Sequence, residues 1–310
     1  MEGAAMSPVK APKRRTCAQM AVHELLVETK PEYRERRLAA ENQTRESINS
    51  GRAMRVAAKL ITIPVVVHIV HRTPEKITDF QVKSQIGALN RDYRAKNADK
   101  RKVPKPWQSL VIDSEIRFVL ASEDADGGKC SGITRKATEA NSFRPDDTVK
   151  AEETGGVDPW PTDRYLNIWV CDLSGGVLGY AQFPGGPAKT DGVVILASAF
   201  GTKGTARAPF NKGRTGTHEV GHYLGLRHIW GDQNDCNGGT DFIADTPFAR
   251  EANFGKPNFP HITCNNGPNG DMFMNYMDYV DDAAMVMFTA GQVARMNATL
   301  DGPRRKLAGL

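Results

Sequence analysis

The run HEVGHYLGLRH, residues 218–228, constrains this chain more than any other feature. If Thr215 to Leu224 is helical, His218 and His222 lie one turn apart on one face, with Cβ atoms about 6 Å apart, so both imidazoles can grip one ion. Zinc at a catalytic site takes a third protein ligand and keeps one position open. Gly225 can adopt the left-handed conformation that ends a helix and turn the chain so that His228 returns to the metal. Glu219, beside the first ligand, can reach a metal-bound water without joining the coordination shell, which suits a general base. An isolated His-Glu-x-x-His arises by chance on amphipathic helices with histidines facing water. Here the glycine and the third histidine are also in place, and the run uses three of the seven histidines in the chain.

The segments before this run alternate between strand and helix patterns. LITIPVVVHIV, from Leu60 to Val70, is β-branched and continuous, as in a strand covered on both faces. Thr78 and Gln81 form a helix-opening pattern, after which Val82, Ile86, Leu89 and Tyr93 recur at helical steps. Further strands are predicted over 114–120, 165–171 and 191–197, with Gly- and Pro-rich loops around GYAQF. That alternation indicates an α/β lobe. From Gly225 to about residue 284 the chain is dominated by Asp, Asn, Gly and Pro, and regular structure should be sparse there. A last helix is expected from Thr289 to Leu300. His68 and His71 read as core or rim residues at a strand end, and His23 and His261 as solvated.

A chain of 310 residues exceeds the usual single-domain size, which favours a large domain with an appendage, or two lobes around a cleft. Residues 1–59 are polar, basic and helix-prone, with few apolar anchors, and read as the appendage. The net charge of +5 comes from scattered Lys and Arg, so nucleic acid is not an expected partner. The longest apolar run is about half a membrane span and holds Thr62, Pro64 and His68, so no membrane crossing is expected. No apolar stretch follows the basic N-terminal residues, so no secretory signal is visible. Five cysteines leave at least one thiol outside any intramolecular bridge.

The run from His218 to His228, with Met277 downstream in NYMDYVDD, resembles the metzincin signature of a long zinc motif and a methionine turn. Within that group IPVVVHIV, SQIGALNRDYRAKNADK, SGITR, YLNIWVCDLSGGVLGYAQFPGG, DGVVIL, ADTP and MFTAGQVARMNATL resemble the pappalysin and ulilysin family, over nearly all of residues 60–300. The resemblance implies an α/β (α+β) metzincin catalytic domain, residues 60–310, behind a helical pro-segment, residues 1–59. The upper lobe, about 60–225, should hold a twisted five-stranded mixed sheet and two long helices. The lower lobe, about 226–310, should be irregular and end in a helix.

The same resemblance implies a secreted, monomeric zinc endopeptidase acting on protein or peptide substrates. Met277 would form the apolar floor under the three imidazoles, and Tyr279 would help stabilise the tetrahedral intermediate. Substrate would lie antiparallel along an edge strand through Gly179, Tyr180 and Ala181. Cys236 and Cys264 match one disulfide of the family, while a second pair is replaced by Lys256 and Ala284. Where several relatives carry an Asp that selects arginine after the scissile bond, this chain has Ala283, with Asp281 and Asp282 as possible substitutes. Calcium in the lower lobe is also implied, with Asp241 and Asp245 the best candidates among Asp232, Asp235, Asp241 and Asp245. Arg14, Arg15 and Cys17 fit the pattern of a pro-segment whose cysteine blocks the metal. Cleavage between Ser50 and Lys59, near Arg52, Arg55 or Lys59, would release it.

Overall fold

The structure is a computed structural model and describes residues 12–53, 59–236 and 239–310. Two helices, α1 (Gln19–Thr29) and α2 (Pro31–Asn49), precede the first strand. Pro31 opens α2, where a helix needs no N–H. The body then runs β1 (Ile61–His71), α3 (Asp79–Tyr93), β2 (Ile116–Leu120), β3 (Ile133–Ala137), β4 (Leu166–Cys171), β5 (Gly179–Ala181), β6 (Val193–Leu196) and α4 (Arg214–Tyr223). Among the described residues beyond α4, helix and strand are confined to the short pair β7 (Phe254–Gly255) and β8 (Tyr279–Val280) and the last helix, α5 (Ala290–Asp301).

β1 organises the sheet. Its residues 61–65 pair with β2 and 67–71 with β3 on the same flank, while 65–69 pair with β4 on the other. The order is β2 and β3, then β1, β4, β6 and β5, with every pairing parallel except β5 against β6. The sheet is thus five strands wide, as expected, and has a sixth strand because β3 succeeds β2 along one flank of β1. The apolar run of β1 is buried on both faces. Ile61, Ile63, Val65, Val67 and Ile69 join the main core, whereas Val66 and Val70 join smaller clusters on the opposite face. His68 is buried between Thr134 Oγ1 at 2.8 Å and Asn167 Oδ1 at 2.9 Å, a satisfied core histidine.

Helix starts follow local chemistry, with one difference. Thr78 caps α3 by accepting from Gln81 N, but the Gln81 side chain donates to Phe200 O and Thr205 Oγ1 instead of returning to the cap. The reciprocal capping box occurs at α5, between Thr289 and Gln292. The helices α1 and α2 lie against the body. Ser47 Oγ donates to Asp301 at the end of α5, and Arg36 donates to Gly185 O in the loop after β5. A disulfide joins Cys236 to Cys264 in the irregular region.

Candidate active site

All ten residues of α4 are buried. The Tyr93 hydroxyl of α3 donates to Thr217 O at 3.1 Å, and Thr217 Oγ1 donates to Asp92 at 2.7 Å. At the other end Arg304 donates to Tyr223 O at 2.8 Å and pairs with Asp191 at 2.6 Å. These contacts hold the helix that presents His218, Glu219 and His222. Gly225, at φ +91°, reverses the chain after α4 and lets His228 return.

His222 Nε2 then lies 3.1 Å from His218 Nε2 and 3.1 Å from His228 Nε2. The far nitrogens are committed. His218 Nδ1 is 2.7 Å from Tyr276 O, His222 Nδ1 is 2.8 Å from Leu226 O, and His228 Nδ1 is 2.5 Å from Asp232 Oδ1. With each Nδ1–H donating outward, three Nε2 lone pairs face one another. That arrangement is repulsive without a cation and fits one with it, since tetrahedral zinc at roughly 2.05 Å from nitrogen has edges of about 3.3 Å. Burial and the neighbouring rings push His218 and His222 well below the ordinary imidazole value, which keeps them neutral. Met277 is buried against α4. A Cβ on Gly221 would meet its sulfur at 2.5 Å, so α4 can approach this methionine only with glycine there. The Trp230 ring stacks on His228 at 4.4 Å.

Cys17 completes the cluster. Its Sγ and the histidine nitrogens all lie within 4.8 Å of one another, the one such metal-capable group among the described residues. The thiol donates to Glu219 Oε2 at 3.2 Å. Burial pushes the Glu219 carboxyl up to about 8, against the hydrogen bond from Cys17 and the charge of Arg15. Tyr279 reaches the same place. Its hydroxyl accepts from Cys17 N and donates to Cys17 O, both at 3.2 Å.

The segment around Cys17 runs beside β5 in the same direction. Leu178 N donates to Thr16 O, Ala18 N to Gly179 O, and Ala181 N to the Gln19 side chain. Gly179, Tyr180 and Ala181 do form the edge strand, although the Tyr180 ring is buried in the core on the other face. Arg15, 1% exposed, points into a closed pocket where it pairs with Asp282 Oδ1 at 2.6 Å and donates to Thr215 Oγ1 and Val280 O. Of Asp281, Asp282 and Ala283, it is Asp282 that pairs with Arg15. Ala283 instead offers its carbonyl to Lys102.

Other expectations need correction or placement. His23 is half-buried rather than fully solvated. It accepts or donates at 2.7 Å to the Tyr33 hydroxyl, lies edge-on to Phe183, and is pushed down to about 4 by burial and by the charges of Arg37 and Arg227. Asp241 accepts from Thr246 Oγ1 and Ile243 N, and Asp245 accepts from Thr289 Oγ1 and Gly291 N at the start of α5. Asp232 serves His228. Arg52 pairs with Asp301, while Arg55 lies outside the described residues. Sequence reasoning missed Thr215 and Trp230 as parts of the site. Their only signal was proximity to the histidine run.

A helix that carries two of three converging imidazoles, set against the edge strand of a mixed sheet, defines a metal-dependent peptidase, and known proteins narrow the class. The family model described as pregnancy-associated plasma protein-A matches residues 150–301. An extracellular metalloprotease of Pyricularia oryzae is 31% identical over 77% of this chain and 74% of its own, and one of Verticillium alfalfae is 33% identical over 72% and 68%. A promirolysin mutant from Tannerella forsythia, of known structure, is 45% identical with a TM-score of 0.87, covering 95% of this chain and 97% of that one. Mature mirolysin in complex with a cleaved peptide is 48% identical with a TM-score of 0.79, covering 81% and 96%. The chain belongs to the pappalysin family of metzincin metalloendopeptidases.

Proposed function

We propose that this protein is made as a latent zinc endopeptidase, with residues 60–310 as the catalytic domain and residues 1–59 as the segment that blocks it. One observation carries the reading. Three buried imidazole nitrogens converge with their opposite nitrogens committed, and the sulfur of Cys17 lies within 4.8 Å of all three. The division is supported by the relatives, since the promirolysin structure matches almost the whole chain and mature mirolysin only 81% of it. Export is supported by the fungal relatives named extracellular. Calcium rests on the family resemblance alone.

When bound, zinc supplies Lewis acidity that lowers the pKa of water toward about 7 and polarises a carbonyl. His218, His222 and His228 hold it, and their outward hydrogen bonds fix the tautomer that leaves Nε2 free to coordinate. Glu219 takes the proton of the attacking water and delivers it to the departing amine. Tyr279 Oη, already within 3.2 Å of the Cys17 backbone, donates to the carbonyl oxygen as it gains charge. β5 offers main-chain groups to an antiparallel substrate. Asp282, with Thr215 and Val280, receives arginine as the residue after the scissile bond, and Arg15 occupies that pocket in the precursor.

Casein digestion by the processed protein tests the reading. A zinc chelator should abolish digestion and added zinc should restore it. Digestion that survives complete metal removal overturns the proposal. The latency device has its own test in the full chain: Cys17→Ala removes the fourth ligand, so loss of the N-terminal segment in zinc should run on the order of tenfold faster. An unchanged time course would leave Cys17 no part in latency.

A further inference from the structure

Three guanidinium groups gather around one carboxylate where α2 lies on α5. Arg295 Nη2 is 2.7 Å from Glu41 Oε2, and Arg37 Nη2 is 3.3 Å from the same oxygen. Arg295 is buried and aimed by its Nε, which donates to Gly225 O at 2.8 Å. Arg227, the residue before the third histidine of the site, joins them. Its guanidinium lies 4.9 Å from the centre of the Phe242 ring, and that of Arg295 lies 5.8 Å from the same ring. The Nε of Arg227 is buried and has no hydrogen-bond partner among the described residues. Burial raises the Glu41 carboxyl, but the hydrogen bond and charge of Arg295, then the charges of Arg37 and Arg227, outweigh it and hold the group below its ordinary value.

Two of these four residues belong to α2 and two to the body. Release of the N-terminal segment takes away Glu41 and Arg37 and leaves Arg227 and Arg295 without the carboxylate between them. The other acid close to Arg227, Asp232, is committed to His228 Nδ1. The pair is tied to the path of the segment through Arg37, which shares Glu41 Oε2 with Arg295. Beside β5 the segment places Arg15 in its pocket, Cys17 at the metal position and Gln19 at Ala181. Beyond it, His23 and Arg37 lie on the Phe183 ring at 5.2 and 5.0 Å. A substrate running the other way along β5 lays the residues that precede its scissile bond over this same stretch.

Resting on the reading of the chain as a processed endopeptidase, we propose that Arg227 and Arg295 form a carboxylate-binding subsite for the part of the substrate that precedes the scissile bond. Glu41 fills it in the precursor, and an aspartate or glutamate of the substrate fills it in the processed enzyme. Guanidinium groups suit this role. Their planar forks match a carboxylate, the bond is charge-assisted, and the face of Phe242 supports the cations without neutralising them.

The test uses the full chain, matured by incubation with zinc, and peptides that share one sequence with arginine after the scissile bond. A single glutamate is moved through the three positions before that bond, and each peptide is compared with its glutamine counterpart. At one position kcat/KM for glutamate should exceed that for glutamine by about tenfold at low salt. The ratio should fall toward one in high salt and in Arg227→Gln, with an intermediate value in Arg227→Lys, which keeps the charge but not the fork. A ratio near one at all three positions in the wild type overturns the subsite, as does a ratio that Arg227→Gln leaves intact. If Arg227→Gln does not fold, the wild-type ratios and Arg227→Lys decide. If the matured protein cleaves none of the peptides, the endopeptidase reading falls and takes the subsite with it. Cleavage of the glutamine peptides with no gain from glutamate removes the subsite alone.

Discussion

Full-length chain carrying Glu219→Gln, loaded with zinc, should keep its original N-terminus through an incubation that shortens the wild type. Its casein digestion after processing by another protease should be on the order of 10³-fold slower. The substitution keeps the shape of the side chain and its place beside Cys17, where the thiol now donates to Oε2 at 3.2 Å. It removes the one group at the metal position able to accept a proton from water and return it to the leaving amine. His218, His222 and His228 keep their outward partners, so zinc content measured on the purified variant should match the wild type. A pure Glu219→Gln preparation that shortens as fast as the wild type would show that the cut is not self-inflicted. Undiminished casein digestion would remove Glu219 from the chemistry.

Asp282→Asn should act in opposite directions on the precursor and the processed enzyme. In the processed enzyme, kcat/KM for peptides with arginine after the scissile bond should fall by about 10²-fold, the scale expected when a buried, hydrogen-bonded charge pair loses one partner. Peptides with leucine there should change little. In the precursor the same variant weakens the hold on Arg15, whose guanidinium is buried against this carboxylate, so the N-terminal segment should be lost faster. Asparagine can still accept from Lys212 N, which now donates to Asp282 Oδ2 at 2.6 Å, and this limits damage to the fold. Retention of the arginine preference in Asp282→Asn would assign selection to another residue, and Asp281 would be the next to test.

The parts of this site that sequence made legible are those set by local geometry. His218 and His222 face one way because a helix turns every 3.6 residues, and Gly225 supplies the left-handed turn that returns His228. The buried strand was readable from its unbroken β-branched run, and α5 from Val293, Met296 and Leu300 sharing one face. What stayed hidden depends on residues far apart in the chain. Nothing in DDAA says which carboxylate faces the cleft. Asp282 is the one that meets Arg15, because Lys212 N and Arg214 N hold its other oxygen. His23 looked solvated on a polar helix because the ring that covers it, Phe183, comes from the body of the fold. The cluster of Glu41, Arg227 and Arg295 joins three distant segments and carries no motif. The partners of Asp241 and Asp245, hydroxyl and amide groups at Thr246, Ile243, Thr289 and Gly291, are fixed by the fold of the irregular region and carry no motif.

The backward course of the segment beside β5 also bears on how long the precursor can stay dormant. A peptide threaded tail-first offers its amide groups in reversed order, so no bond near Cys17 presents its departing nitrogen where Glu219 could protonate it. Under the latency proposed above, the enzyme would be occupied by something it grips but cannot digest, and the time to activation would be governed by how quickly the plug is severed elsewhere and drifts away.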